Sequence, residues 1–216
     1  MFKQILLIGN GKLSKSLQKY LTDYNVIVFD KDNIDKINLY QGDLLIDCSL
    51  KDGFDSYVDY VIKHHIPLII AATNHNQDQL EKMKEISLSL PVVKSNNFSI
   101  GITLFNMILS QYKNIINKYD LYLFDFHHQN KKDAPSGTAN HFISIINQDL
   151  PCYSIRSKNI IGEHTIKMFS DDEEITLTHK VTSSDLFSKG ILMAINFIFT
   201  KKTGFYTMED ILNEIK

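Results

Sequence analysis

Short apolar runs alternate with amphipathic stretches over the first hundred residues of this 216-residue chain. Apolar runs of this length are typical of strands that are buried on both faces. The stretches between them repeat their apolar residues at the period of a helix, so the alternation predicts a parallel sheet with helices on both faces. The predicted strands are residues 5–8, 26–29, 44–47, 68–72 and 91–93, and the predicted helices are residues 13–21, 54–64 and 77–87.

The pattern changes after residue 99. Residues 120–127 alternate strictly, with Tyr122, Phe124 and Phe126 on one face. Such alternation is typical of a sheet that is covered on one side only, and such sheets are mostly antiparallel or mixed. The other segments predict two further strands, at residues 164–169 and 174–181, and four helices, at residues 100–116, 137–148, 186–199 and 208–215.

A motif with two glycines follows the first predicted strand. Its first glycine permits a tight turn, its second lets the backbone approach a pyrophosphate, and the helix behind offers unpaired N–H groups. A serine stands where a dinucleotide-binding fingerprint has its third glycine, and serine is small enough for close helix–strand packing. A plain strand–helix turn remains the alternative interpretation. The motif reads Gly9-Asn10-Gly11-Lys12-Leu13-Ser14.

Asp30 ends the second predicted strand, about twenty residues after the glycines, where an acid commonly binds the adenosine ribose hydroxyls. Lys31 follows it and could attract a 2′-phosphate, so NADH and NADPH both stay open. A solvated turn is the alternative, since Asp32 is also acidic. We predict an α/β chain: a Rossmann-like dinucleotide-binding domain with a parallel sheet, at residues 1–98 and about 187–216, and an α+β domain with a mixed sheet, at residues 99–186.

Composition excludes several other classes. Hydrophobic residues make up 44% of the chain and charged residues 22%, as in globular proteins with a core. A formal charge of −2 gives no general reason to bind nucleic acid or an anionic membrane. Cys48 and Cys152 are too few and too far apart for a disulfide framework or a zinc site, and we expect free thiols. No apolar run is long enough for a signal peptide or a membrane span, so we expect a cytoplasmic protein.

The most informative stretch lies between a predicted strand and a predicted helix. Its Ser-Gly-Thr segment offers hydroxyls and free N–H groups to a carboxylate. Two histidines and a lysine upstream offer proton donors and cationic partners for an anionic substrate. A capped surface loop is the alternative, and we expect no metal because no cluster of cysteines or acids completes a site. The stretch reads Asp125-Phe126-His127-His128-Gln129-Asn130-Lys131-Lys132-Asp133-Ala134-Pro135-Ser136-Gly137-Thr138-Ala139.

This stretch resembles the signature of the dihydrodipicolinate reductases, in which an acid near His-His is followed by Lys and then by Asp-Ala-Pro-Ser-Gly-Thr-Ala. Asp125 stands where glutamate is common. The resemblance extends over essentially the whole chain, through Asn97-Phe98-Ser99-Ile100-Gly101 at an expected domain hinge, Gly162-Glu163-His164-Thr165, Thr178-His179-Lys180 and residues 204–212. It implies a reduction of 4-hydroxy-tetrahydrodipicolinate, a small dicarboxylate, to tetrahydrodipicolinate with loss of water, on the route to diaminopimelate and lysine.

The resemblance also implies roles for individual residues. His127 would be the catalytic proton donor and acceptor, and Lys131 a proton donor to the substrate. His128, Gly137 and Thr138 would bind the substrate, and His179 is interpreted mainly as a packed histidine. The residues implied to bind NADH or NADPH are Gly9, Asn10, Gly11, Lys12, Leu13, Ser14, Asp30, Lys31, Ala71, Ala72, Thr73, Ser95, Asn96, Asn97 and Phe98.

Two departures from the family pattern bear on these expectations. Ala71-Ala72-Thr73 replaces the usual Gly-Thr-Thr beside the nicotinamide, so one hydroxyl is lost. Residues 154–162 are shorter than the glycine-rich loop of many members. Because the family builds a tetramer through its substrate domains, we expect a homotetramer, or a dimer if the short loop weakens that interface. Another Rossmann dehydrogenase acting on an amino acid, or a non-catalytic NAD(P) sensor, remains as an alternative function.

Overall fold

The computed structural model describes residues 3–146 and 150–215 of the chain. The chain divides into two compact units. Unit 1 comprises Met1–Ile100 together with Asp185–Lys216, and unit 2 comprises Gly101–Ser184. Among the described residues, no helix is both long enough and apolar enough to span a bilayer.

Unit 1 is built on a parallel sheet. Its strands are β1 (Gln4–Ile8), β2 (Asn25–Phe29), β3 (Leu44–Asp47), β4 (Leu68–Ile70), β5 (Pro91–Lys94) and, from the far end of the chain, β10 (Gly204–Tyr206). They lie in the order β10-β5-β4-β3-β1-β2, and every neighbouring pair is parallel. The helices of this unit are α1 (Lys12–Gln18), α2 (Phe54–His64), α3 (Gln77–Ser87), α6 (Leu186–Ile198) and α7 (Met208–Glu214).

The alternation of side chains along the strands of unit 1 supplies two cores. One face contributes Leu6, Leu45 and Ile70, which pack with residues of α2 and α3. The opposite face contributes Leu7, Ile46 and further residues that pack with α1, α6 and α7. Because successive side chains of a strand point to opposite faces, a strand that is apolar throughout needs a helical layer on each side. The sheet is therefore covered on both faces, as the uninterrupted apolar runs predict.

Unit 2 is built on a mixed sheet in the order β7-β6-β8-β9. Its strands are β6 (Asp120–His128), β7 (Cys152–Ser157), β8 (Glu163–Phe169) and β9 (Glu174–Lys180), and its helices are α4 (Ile100–Ile116) and α5 (Gly137–Ile146). β7 runs parallel to β6, whereas β8 is antiparallel to both β6 and β9. Leu121 and Leu123 of β6 join Phe105 of α4 and Phe142 of α5 in one core. The helices therefore cover one face of this sheet.

The fold class predicted from the sequence is confirmed: a parallel sheet with helices, followed by a smaller mixed sheet. Two strands were not predicted. β10 has only three residues, and most of β7 lies in the segment, residues 154–162, that was interpreted as a shortened loop. The ends of several elements differ by a few residues, since α1 ends at Gln18 and β4 at Ile70. The last two residues of the helix predicted at 137–148 lie outside the described residues.

Candidate active site

The glycine motif of unit 1 forms the turn between β1 and α1. Gly9 has a φ of +98°, and a Cβ there would lie 2.8 Å from the Cys48 carbonyl oxygen, so the backbone requires glycine. Gly11 differs, because its φ of −81° suits any residue and a Cβ would meet no atom within 4 Å. The space beside Gly11 is thus a cradle that a side chain would fill. Ser14 is fully buried, in agreement with a packing role at the third position of the motif.

Asp30 follows β2 and closes a local turn. Its carboxylate accepts a hydrogen bond from the Asp32 N–H at 3.0 Å, and the Asn33 side chain accepts one from the Asp30 N–H at 2.7 Å. One carboxylate oxygen is therefore engaged in the turn, while the side chain stays partly exposed. Lys31 is exposed. Both residues lie at the carboxyl edge of the parallel sheet, where dinucleotides bind in folds of this type.

The loops after β4 and β5 lie at the same edge. The Ala71 N–H donates to the Asp47 carbonyl at 2.8 Å, and the Ser95 N–H donates to the Ile70 carbonyl at 3.2 Å. Thr73 and Asn96 are exposed, whereas Ala72 is buried. Phe98 is also buried, in the core with α6, where its carbonyl would lie 1.8 Å from a Cβ at Gly190. The side chain of Phe98 therefore packs in the core, and its carbonyl lies against Gly190 of α6.

Sequence reasoning missed a buried polar group at this edge. Asp47 ends β3 and is fully buried; its carboxylate accepts hydrogen bonds from the Tyr57 hydroxyl at 2.8 Å and from the Ser49 hydroxyl at 2.6 Å. Lys94 ends β5, and its ammonium donates to the Asn96 side chain at 2.6 Å. Burial lowers the pKa of Lys94 to about 8, although the charge of Asp47 opposes this shift. Asp47 and Lys94 each end an apolar run, and this position was the only feature of the sequence that could have indicated them.

The mixed sheet of unit 2 places polar side chains in a row on its covered face. Asp125 of β6 pairs in register with Ser154 of β7 and with His164 of β8. Residues in register on neighbouring strands project to the same side of a sheet. The Asp125 carboxylate is fully buried, 3.2 Å from the Ser154 hydroxyl, which donates to it, and 3.3 Å from His164 Nε2.

His127 lies two residues further along β6, so it projects to the same face. Its Nδ1 lies 2.9 Å from Asp125 Oδ1, and its side chain is 12% exposed. The contact is an ion-pair distance without hydrogen-bond geometry, and Nε2, the other ring nitrogen, lies beside Gly162. A Cβ at Gly162 would lie 3.2 Å from that Nε2, and glycine therefore leaves room beside it.

Asp125 is an ionised carboxylate in a buried position. Burial by itself raises the pKa of this group, but the contacts with His127 and His164 and the Ser136 N–H outweigh burial and hold the pKa well below its usual range. The Ser136 N–H donates to Asp125 Oδ2 at 2.9 Å, and the Arg156 guanidinium donates to the same oxygen at 3.1 Å. A buried charge with this many partners is a fixed feature of the site.

The loop between β6 and α5 carries the remaining expected site residues. Ser136 caps α5, because its hydroxyl accepts from the Ala139 N–H at 3.2 Å. A Cβ at Gly137 would meet nothing within 4 Å, so this first residue of the helix faces open space. Lys131 Nζ lies 2.9 Å from Asp133 Oδ1. The pKa of Asp133 is lowered, chiefly by its hydrogen bond with Lys131 and further by the Gly137 backbone.

The expected residues of unit 2 thus belong to one continuous piece of structure. His127 and the exposed His128 end β6, Lys131 follows in the loop, and Thr138 is the second residue of α5. The sequence did not reveal Arg156, His164 or Ser154 as parts of this site, because they come from other strands. His179 of β9 pairs in register with His164 and packs closely on Gly101, where a Cβ would lie 2.6 Å from its ring.

The ligand atoms of Asp125, His127 and His164 all lie within 4.8 Å of one another, a spacing that could also hold a metal ion. Arg156 contacts the same carboxylate and brings a permanent positive charge, which disfavours a divalent cation there. That this site works without a metal remains a prediction.

Comparison with known proteins gives consistent matches along the chain. Residues 7–98 match the family described as "Dihydrodipicolinate reductase, N-terminus", and residues 101–212 match "Dihydrodipicolinate reductase, C-terminus". A 4-hydroxy-tetrahydrodipicolinate reductase of Brachyspira hyodysenteriae is 30% identical over 97% of this chain and 99% of its own length. One of Thermosipho africanus is 32% identical over 88% of this chain and 86% of its own length.

A solved structure agrees in fold. The dipicolinate-bound dihydrodipicolinate reductase of a Paenisporosarcina species superposes with a TM-score of 0.83, covering 98% of this chain and 100% of its own, at 19% identity. The resemblance inferred from the signature at Asp125–Ala139 is therefore confirmed by matches over both units. This chain belongs to the dihydrodipicolinate reductase family.

Proposed function

We propose that this chain reduces 4-hydroxy-tetrahydrodipicolinate to tetrahydrodipicolinate at the expense of NADH or NADPH. The substrate takes up a hydride and a proton and loses water, and the nicotinamide cofactor supplies the hydride when bound. The observation that carries the proposal is the position of His127, which a buried carboxylate holds beside the loop and the start of α5. Proton donors and a carboxylate site would thus meet near one end of β6.

Unit 1 supports the binding of a dinucleotide. Gly9 makes the turn, Gly11 leaves the open cradle for the pyrophosphate, and Asp30 lies where the adenosine ribose is expected. These residues fit the group that the family implies. The backbones of residues 71–73 and 95–98 would approach the nicotinamide end, and the hydroxyl missing at Ala71-Ala72 removes one hydrogen bond there.

Unit 2 supports the binding of a dicarboxylate. Lys131 would pair with one substrate carboxylate, and the N–H groups of Gly137 and Thr138 would bind another at the start of α5. Lys131 pairs with the carboxylate of Asp133 at 2.9 Å, and the proposal is that a substrate carboxylate would take up a similar contact. His128, exposed at the end of β6, would add a further hydrogen bond.

During the reaction His127 and Lys131 would handle protons. His127 Nδ1 faces Asp125, so its Nε2 is the atom that would donate or accept. The Lys131 ammonium would offset the negative charge of the substrate and donate a proton near the ring nitrogen. The buried Asp125 would stabilise the protonated form of His127 and fix its orientation.

We also propose that the chain acts as a homotetramer built through the open face of the mixed sheet. This face carries stacked aromatic rings, with Phe124 and Tyr153 at 5.5 Å and Tyr122 and Tyr153 at 6.4 Å between centroids. Tyr153 is 50% exposed and Ile155 38% exposed. Contiguous apolar surface of this kind is typical of an interface, and a second copy of the chain fits the family pattern.

An assay with purified chain tests the function. We expect oxidation of NADH or NADPH when freshly made product of dihydrodipicolinate synthase is added, and none when it is withheld. Reduction of NAD⁺ by an amino acid, without activity on that product, would favour an amino-acid dehydrogenase instead. Clear cofactor binding without any turnover would favour a sensor.

A further inference from the structure

Arg156 lies on β7, the strand that the sequence did not predict, and this strand places it in the candidate site. β7 runs parallel to β6, and in this register Arg156 lies directly opposite His127 while Ser154 lies opposite Asp125. The side chain of Arg156 therefore projects to the same face as the histidine and the carboxylate. Only about a fifth of this side chain is exposed, at 18%.

The guanidinium group of Arg156 makes four hydrogen bonds that fix its position. Nη2 donates to Asp125 Oδ2 at 3.1 Å and to the Asp133 carbonyl at 2.7 Å. Nη1 donates to the Asp125 carbonyl at 2.9 Å and to the Ile155 carbonyl at 3.0 Å. One side chain thus joins the carboxylate, the backbone of β6 and the loop that carries Lys131. A planar group with fixed donors suits this task, and a lysine could not reproduce it.

The two oxygens of Asp125 have different partners. Oδ1 faces His127 Nδ1 at 2.9 Å and His164 Nε2 at 3.3 Å, whereas Oδ2 faces Arg156 and the Ser136 N–H. Without a compensating cation, a buried carboxylate would hold a proton on the neighbouring imidazole more tightly. A histidine in that state would release its proton to a substrate less readily.

We propose that Arg156 is a positioning residue for proton transfer: it anchors Asp125 and offsets its charge, so that His127 is oriented by the carboxylate and still gives up its proton. This inference rests on the proposed function for its role in turnover. The electrostatic part of the inference, the effect of Arg156 on His127, can be tested on the chain without cofactor or substrate.

Other charged groups also lie near His127, and the experiment must separate their effects from that of Arg156. His164 of β8 shares Asp125 Oδ1 and also lies 3.1 Å from the Ser136 hydroxyl. His179 of β9 lies behind His164 and interacts with it electrostatically, and burial lowers its pKa. Lys131 and Asp133 neutralise each other in the loop. Arg156 contacts Asp125 directly and carries a permanent positive charge.

Nuclear magnetic resonance of the labelled full chain, without cofactor or substrate, measures the titration midpoint of the His127 ring. In Arg156→Met we expect this midpoint to move to higher pH by about one unit or more, as for the loss of a neighbouring like charge. Lys158→Met removes an exposed cation from the same segment, and we expect it to leave the midpoint in place. An unchanged midpoint in folded Arg156→Met overturns the proposal.

Arg156→Lys is the second variant, because removing the cation altogether could prevent folding. It keeps the charge but loses the planar set of donors, so we expect a midpoint near that of wild type and a kcat lower by about tenfold or more. Wild-type kcat in Arg156→Lys would refute the positioning role. The pH dependence of kcat/KM should follow the ring titration in each folded variant.

The two proposals fail in different ways. A chain without reductase activity whose His127 midpoint still rises in Arg156→Met would refute the proposed function and retain the electrostatic inference. A chain that turns over normally in both Arg156 variants would retain the function and refute the role of Arg156.

Discussion

Three residues of unit 2 carry the proposed chemistry, and a different contact holds each of them in place. His127 is held by a buried carboxylate, Lys131 by an ion pair with Asp133, and Gly137 by the cap that Ser136 provides. Their sequence positions and residue types were predictable from the signature. The buried partners were not, because Arg156 and His164 lie more than twenty residues away in sequence and meet Asp125 only through the pairing of strands.

Substitution of the proton donors should reduce chemistry and spare cofactor binding. We expect His127→Ala and Lys131→Ala to lose about 10²–10⁴-fold in kcat, the usual cost of a positioned acid or base. The dissociation constant for NADH should stay at the wild-type value, because the residues expected to bind it lie in unit 1. His141→Ala, an exposed histidine of α5, is the matched control. Wild-type kcat in either site variant would rule out its assigned role.

Cofactor choice is also decided by single residues. Asp30 would repel the 2′-phosphate of NADPH and Lys31 would attract it, and exposed interactions of this kind are worth only about 0.2–1 kcal/mol. We therefore expect the chain to use both cofactors, with NADH equal or modestly preferred. Lys31→Ala should raise the KM for NADPH more than that for NADH, and salt should shrink the difference. A hundredfold preference of the wild type for NADPH would contradict this interpretation of the pair.

At the scale of elements, the hydrophobic pattern was sufficient wherever a strand or helix buries apolar residues. It failed for β7, because the inward-facing residues of this strand are Ser154 and Arg156, whereas Tyr153 and Ile155 face outward. On the covered face these polar side chains contact Asp125. In β7 the polar residues therefore face inward and the apolar residues face outward, the reverse of the usual pattern. β10 was missed because three residues at the sheet edge are too few to show a period.

The turn between β1 and α1 offers a test that separates structure from binding. Gly11→Ala adds a methyl group where nothing lies within 4 Å, so we expect an unchanged melting temperature and weaker NADH binding. Gly9→Ala should instead lower the melting temperature, because it combines a positive φ with a close contact to the Cys48 carbonyl. Calorimetry and titration of NADH fluorescence measure the two effects. Normal NADH affinity in Gly11→Ala would argue against the pyrophosphate cradle.

At the scale of the whole molecule, the open face of the mixed sheet predicts self-association. Tyr153→Lys places a charge among the stacked rings, and we expect sedimentation to show smaller species than the tetramer proposed for the wild type. Leu39→Lys removes an apolar side chain that is 78% exposed in unit 1, and it should leave the assembly unchanged. A wild-type chain that sediments as a monomer would refute this prediction.

The central claim is that a hydride passes from the bound nicotinamide to the ring of 4-hydroxy-tetrahydrodipicolinate. The most direct measurement is mass spectrometry of the product after turnover with NADH that carries deuterium at the transferable position of the nicotinamide. We predict that the tetrahydrodipicolinate formed is heavier by one deuterium, and that His127→Ala forms far less of it in the same time. Oxidation of the labelled cofactor without deuterium in the product would contradict the claim.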